Sequence, residues 1–350
     1  MDIQEKKKQI RELWQLCFHD DERFVNLLFD RLYRDENARC FEERGVVTSA
    51  LQMLPYRMTY GESVLPVSYI SGAATRSEYR NRGLMGRLLR ESFEVMRSRA
   101  IPLSALIPAE PWLYDYYATK GYAPVFFRGE CDYTAAHRFI TTGYHRVSPS
   151  MDELYRFFDG LLRQRPCCLL HERNDFEVIC GDNRLDGGEV VAMADESGEL
   201  SALAFAVPDD DRTRVKELLA VGGAAREAVL HEVEQLFPGV PITVVTPPDE
   251  SGGLLQRMGM MRIVDVPLLL SVVAQNYPSW QAVVRVTDPL LPGNEGAYRI
   301  GDGACRRVEG AKCDLDVDVA ELALVLFGDS HLSSLLDLPA VRPYMSLMLD

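Results

Sequence analysis

Apolar positions recur along this chain with two different periods. From Ile3 to Phe18 and from Asp21 to Arg34 they fall at three- and four-residue intervals, the spacing of helices with one buried stripe. "GVVTSALQML" (45–54) and "LPVSYISGAAT" (65–75) are instead rich in β-branched residues and predict strands. After Gly83 the helical period returns: Leu84, Met85, Leu88, Leu89, Ser92, Phe93 and Met96 share a face, which predicts a helix packed on the sheet. "IPLSALIPA" (101–109) reads as a short buried strand bounded by prolines, and "EPWLYDYYATKGY" (110–122) as a helix stopped by Gly121.

The same order recurs further on. "EVVAMA" (189–194), "ELSALAFAV" (199–207) and "VKELLAV" (215–221) predict strands, Ala224–Phe237 a helix, and "ITVVTP" (242–247) a strand, closed by "LLQRMGM" (254–260). Beyond it, "VPLLLSVVAQNYPSWQAVV" (266–284) is long and uncharged, yet Pro267, Gln275, Asn276 and Pro278 break it as a membrane span. It predicts a buried strand or helix followed by a turn. Gly301-Asp302-Gly303 predicts a hairpin, and Leu315, Val317 and Val319 alternate with Asp314, Asp316 and Asp318 as in a half-buried strand. That alternation puts the aspartates on one solvated face, without the glycine-containing loop of a calcium site, so no metal is expected.

Composition narrows the class. A 350-residue chain with 47% apolar and 26% charged residues has ample core for two or three domains. The start, "MDIQEKKKQIRELW", has no apolar export signal, which leads us to expect a cytoplasmic protein. The eight cysteines show no CxxC pair, and the six histidines have no metal spacing, so reduced thiols and structural histidines are expected. The net charge, 38 − 52 = −14, argues against a nucleic-acid binder and suits a cationic substrate.

Local charge reverses that sign. Between Arg76 and Arg99 seven arginines (76, 80, 82, 87, 90, 97, 99) face Glu78, Glu91 and Glu94, giving 7 − 3 = +4. A strand, a basic glycine turn and a helix N-terminus follow one another here. Free amides and the positive end of the helix dipole, about half a charge, make such a turn a phosphate site, and glycine lets the ligand approach closely. The competing reading is a plain turn with solvated arginines.

The spacing favours the first reading. Arg80-Asn81-Arg82-Gly83-Leu84-Met85-Gly86 resembles the pyrophosphate loop of the GNAT acetyltransferases, R/Q-x-x-G-x-G/A. Met85 stands where a second glycine or alanine is usual. Tyr117-Ala-Thr-Lys-Gly121-Tyr122, one strand and one helix downstream, resembles that family's Y-x-x-x-G-[FY]. The loop is closest to that of the enhanced-intracellular-survival branch, whose members carry a catalytic GNAT domain, a degenerate GNAT-like domain and a sterol-carrier-like domain. The resemblance therefore implies an α/β (α+β) fold of two tandem mixed-sheet GNAT-like domains and a sterol-carrier-like α+β domain, at 1–144, 145–265 and 266–350. In the second copy, "GGAAR" (222–226) has one arginine, and Leu255 stands where Tyr117 stands in the first, so this copy is expected to be scaffold.

The resemblance also implies chemistry. Acetyl-CoA would serve as co-substrate, with Ala73, Ala74 and Thr75 pairing its pantetheine. Arg80, Asn81, Arg82, Gly83, Leu84, Met85 and Gly86 would hold its pyrophosphate, with Ala109 and Glu110 completing the site. The acceptor would be a primary amine of a cationic small molecule or a lysine side chain. Such an amine, pKa about 10.4, is neutral in only about one part in 2500 at pH 7, a cost near 4.6 kcal/mol, so a base helps. Tyr117, neutral at pH 7, can supply a proton to the departing thiolate. The branch uses the chain's own C-terminal carboxylate as base, which points to Asp350; Glu110 and Asp115 are the alternatives. The apolar tail "RPYMSLMLD" would then dock on the first domain. The resemblance implies a homo-oligomer, a hexamer, and neither a nucleic-acid nor a membrane partner. The other class open to this sequence is a non-catalytic protein that binds an acyl-CoA or an apolar ligand.

Overall fold

A computed structural model describes residues 2–139, 142–328, 333, 336–339 and 341–349. Helices α1 (Ile3–Phe18) and α2 (Glu22–Arg31) lead into strands β1 (Ala38–Glu43), β2 (Val46–Tyr60) and β3 (Ser63–Thr75). These are followed by α3 (Leu84–Ser98), β4 (Leu103–Leu106), α4 (Pro111–Ala118) and β5 (Ala123–Tyr133). Strands β1, β2 and β3 pair antiparallel, and β4 joins β3 in parallel. The apolar stripe of α3 is buried on this sheet: Leu88, Leu89, Phe93 and Met96 pack with Leu51, Met53, Ile70 and Leu106.

A second run comprises β6 (Tyr144–Val147), α5 (Met151–Leu162), β7 (Leu169–Leu170), α6 (Arg173–Leu185) and β8 (Glu189–Asp195). It continues through β9 (Leu200–Asp209), β10 (Arg212–Ala220), α7 (Gly223–Leu236) and β11 (Ile242–Thr246). The order across its sheet is β5-β11-β10-β9-β8-β6, with β10 and β11 parallel and the other pairs antiparallel. Helix α7 buries Ala225, Ala228, Val229 and Val233 on it. As in the first run, a strand, a glycine turn and a helix follow in order. Between β11 and Gln256 there is no α-helix among the described residues, and Leu255 lies in an irregular stretch. The second copy therefore has no counterpart of α4.

The chain then forms β12 (Gln256–Ile263), α8 (Val266–Asn276), β13 (Ala282–Thr287), β14 (Gly296–Gly301), β15 (Ala304–Val308), β16 (Leu315–Asp318) and α9 (Val319–Phe327). The last four strands make a sheet ordered β15-β14-β13-β16. The long uncharged run resolves into α8, capped by Asp265, and β13. Each aspartate of 314–318 has a structural partner: Asp314 accepts from Val283 N, Asp316 pairs with Arg285, and Asp318 caps α9. Strand β12, read from sequence as the close of the second copy, pairs antiparallel with β4.

Packing divides the chain into two units. Residues up to Phe126 and Arg257–Pro343 form one; Phe127–Gln256 and Tyr344–Leu349 form the other. The tail therefore departs from the expected docking on the first domain: Tyr344–Leu349 belong to the second unit. Two backbone hydrogen bonds hold Tyr344 there, its N–H to Cys167 O and the Leu169 N–H to its own carbonyl, both at 2.9 Å. No helix among the described residues is long and apolar enough to cross a membrane.

Candidate active site

The site begins where two parallel strands stop pairing. Strands β3 and β4 are in register from Val67↔Leu103 to Tyr69↔Ala105, and β3 then continues to Thr75. A bulge lies just past that point, where Gly72 and Ala73 oppose Leu51 of β2. Gly72 has φ +61°, and its missing Cβ leaves room for the Trp14 ring of α1. A β-bulge bends its strand and increases the twist, which turns Ala73–Thr75 away from β4. On the β2 side this end is fixed, with Ser49 Oγ 2.8 Å from Thr75 Oγ1 and donating to Ala74 O. On the other side no strand pairs with it among the described residues.

The loop that follows holds two residues in the left-handed region, Asn81 at φ +61° and Gly83 at φ +72°. Asparagine tolerates this conformation and glycine adopts it freely, so the local sequence fits the turn. Helix α3 opens at once, its first backbone bond running from Arg87 N–H to Gly83 O. The amides from Asn81 to Gly86 have no backbone partner among the described residues. A Cβ at Gly83 would meet nothing within 4 Å, and one at Gly86 would lie 3.6 Å from Lys120 Cε and Nζ. The cradle is thus open, lined by donors, and flanked by an ammonium that sequence reading did not single out.

The arginines are held around it. Arg80 Nε donates to Thr75 O at 3.2 Å, tying this loop to the splayed strand. Arg82 donates to Glu78 O, stacks 4.7 Å from the Tyr79 ring and lies 3.8 Å from Glu43. Both side chains remain exposed. Ala109 and Glu110 form the exposed lead into α4, with Pro111 at its first turn.

Tyr117 projects from α4 into the core beneath α3, sharing one apolar cluster with Ala73 and Met85. Its ring is 7% exposed, with Tyr116 and Tyr122 at centroid distances of 5.3 and 5.7 Å. Burial, and secondarily the neighbouring Tyr116, pushes its phenol well above the ordinary tyrosine range. The hydroxyl is therefore protonated at physiological pH and available as a donor. Gly121, at φ +79°, ends the helix as the sequence predicted. Tyr117 O accepts from both Lys120 N–H and Tyr122 N–H in this turn. Tyr122 is buried, with its hydroxyl 2.7 Å from Ser104 Oγ. The structure thus brings together the Ala73–Thr75 strand end, the Arg80–Gly86 loop and Tyr117; Asp350 lies outside the described residues.

Residues 3–125 match the family model described as an acetyltransferase (GNAT) domain. The chain carries a GNAT acetyltransferase domain. Residues 271–346 match a sterol carrier protein domain. No curated protein matches the chain. Solved structures similar over nearly its whole length include the following three. One is a GCN5-related N-acetyltransferase from Anabaena variabilis, with TM-score 0.79, 17% identity and coverage of 98% of this chain and 97% of that one. Another is a probable N-acyltransferase from Enterococcus faecalis, with TM-score 0.78, 15% identity and coverage of 98% and 97%. The third is Eis1 from Mycobacterium abscessus, with TM-score 0.77, 15% identity and coverage of 96% and 90%. At these identities the likeness is one of fold. The domain match over residues 3–125 supports a transferase of the GNAT type, with acyl transfer as its chemistry.

Proposed function

We propose that this chain is an acetyl-CoA-dependent N-acetyltransferase that passes acetyl directly to a primary amine of a cationic acceptor. One observation carries the reading: an open, donor-lined turn, tied through Arg80 to a strand end paired on one edge only, lies in the same unit as a buried, protonated Tyr117. The loop amides and Arg80, Arg82 and Lys120 suit a diphosphate, and the free edge of Ala73–Thr75 suits an amide-bearing arm. No covalent enzyme intermediate is required, since the amine attacks the thioester carbonyl.

Tyr117 has a specific part in this. Its phenol lies above the ordinary value of about 10, whereas a thiol sits near 8.5, so full proton transfer from the phenol to the thiolate is uphill. The hydroxyl instead hydrogen-bonds the sulfur as charge develops there, and the proton that finally neutralises the sulfur comes from the attacking amine. Asp350 is the proposed base, with Glu110 and Asp115 as alternatives. A homo-oligomer is proposed with it, to be read by light scattering.

Titration calorimetry with acetyl-CoA, beside a thiol-release assay on aminoglycosides, polyamines and lysine peptides, tests the reading. Binding of acetyl-CoA and turnover of at least one cationic amine are expected. Tyr117→Phe should lower kcat about a hundredfold with acetyl-CoA affinity unchanged. Binding without turnover of any amine would leave an acyl-CoA binding protein.

A further inference from the structure

Beneath the turn that ends α4 lies a charge the chemistry above does not use. Arg262, on β12, is fully buried. Its Nη1 donates to Lys120 O at 2.5 Å, and its Nη2 lies 2.7 Å from each carboxylate oxygen of Asp288, which is equally buried. The guanidinium stacks 4.7 Å from the Phe93 ring of α3. It occupies the space a Cβ at Gly121 would need, so the glycine is required there by both its φ and this contact.

Asp288, just past β13, is saturated in turn. It accepts from Leu290 N–H, Leu291 N–H and Asn294 Nδ2, and Asn294 also bonds Val264 O and Val266 N–H. The network thus joins α3, the end of α4, β12 and the start of α8 within one unit. A buried ion pair is a costly way to hold a core together, because apolar residues of the same volume generally do as well or better. Its use here is directional: Arg262 fixes the Lys120 carbonyl, and Lys120 N–H bonds the Tyr117 carbonyl at 2.8 Å.

We propose that Arg262, oriented by Asp288, is a positioning residue that holds the α4 turn and thereby fixes Tyr117 against the reacting sulfur, coupling the sterol-carrier-like part of the chain to the transfer step. This rests on the acetyltransferase reading and on Tyr117's part in it. The positive charge at the C-terminal end of α4 also complements the helix dipole.

The test compares three variants of the full chain. Arg262→Lys keeps the charge but cannot span both Lys120 O and Asp288. Asp288→Asn keeps the shape and one oxygen to accept from the Leu290 and Leu291 N–H groups. Arg262→Met with Asp288→Asn removes both charges while leaving an oxygen for the Leu290 and Leu291 N–H groups, and so guards against misfolding from an unpaired buried charge. In folded protein, kcat should fall about tenfold to a hundredfold while acetyl-CoA affinity holds, as expected for a misplaced catalytic group. Loosening the turn admits water to Tyr117 and lowers its raised pKa, so the alkaline limb of the kcat profile should move to lower pH. In a Tyr117→Phe background the Arg262 variants should cost nothing further. Undiminished kcat in a folded variant, or a loss of equal size in the Tyr117→Phe background, would overturn the inference. An inactive wild-type chain would instead overturn the acetyltransferase reading.

Discussion

His171, in the second unit, shows how one buried ring reports on its surroundings. It is 1% exposed, and its Nε2 lies 2.9 Å from Ser346 O, so the neutral ring with its proton on Nε2 donates to the tail. Burial pushes its pKa down to about 4, against the opposing pull of the Ser346 carbonyl and the Glu217 charge. The folded value lies below the unfolded value of about 6.5, so the fold favours the neutral ring. Its contribution is complete above about pH 6.5 and is lost as pH falls through 4, an effect on the order of 3 kcal/mol. Urea unfolding at pH 7 and pH 4.5 should show a loss of stability in the wild type that shrinks in His171→Gln, which keeps a donor without titrating. An equal loss in both proteins would place the acid sensitivity elsewhere. Nothing in the sequence marked this histidine: six are scattered without spacing, and only the fold places Ser346 beside this one.

At the scale of elements, the turn into α3 separates two glycines that look alike in sequence. Gly83 is held at φ +72° with open space where a Cβ would stand, so Gly83→Ala should cost about 1–2 kcal/mol through the backbone alone. Gly86 has ordinary helical geometry, and the nearest atoms to an added Cβ belong to Lys120 at 3.6 Å. Gly86→Ala should therefore stabilise α3, by about 1 kcal/mol. If the diphosphate lies against Gly86, the same change should weaken acetyl-CoA binding. Thermal melts and calorimetry on the two variants decide this, and a Gly86→Ala protein with full affinity would move the ligand off that face. This turn was legible in the sequence because glycine and asparagine at fixed offsets encode a backbone conformation directly. Strand β12 was only half legible. The closing "LLQRMGM" marked an element, but the strand's partner β4 lies 154 to 160 residues earlier, and periodicity carries no record of a partner. Arg262 in this strand was the available signal, since a charge among buried residues demands a counter-charge. Asp288, 26 residues on, supplies it.

At the scale of the whole molecule, the chain passes from one unit to the other at Phe126, returns after Gln256, and leaves again after Pro343. The two runs of strands and helices, and the separate strand order that follows them, were legible because each has its own element pattern. The path was not, since it depends on which edges accept β12 and the tail. The last crossing is anchored by polar contacts. Arg165 makes two hydrogen bonds to the buried Glu217, at 3.0 and 3.2 Å, and its guanidinium lies 5.1 Å from the Tyr344 ring. Tyr344 pairs in parallel with Cys168, and Leu347, Met348 and Leu349 line a water-sized cavity of about 20 Å³ beside Asn183 and Lys216. A segment held by a stacked arginine and a few backbone bonds should open more readily than the sheet beneath it. Tyr344→Ala removes a fully buried ring, at a cost of about 3–5 kcal/mol if the site does not collapse. Hydrogen exchange should then show the amides of Leu169 and of position 344 losing protection while β8, β9 and β10 keep theirs. If Asp350 is the base, turnover should fall in the same variant with acetyl-CoA affinity unchanged. A loosened tail with undiminished turnover would return that part to Glu110 or Asp115.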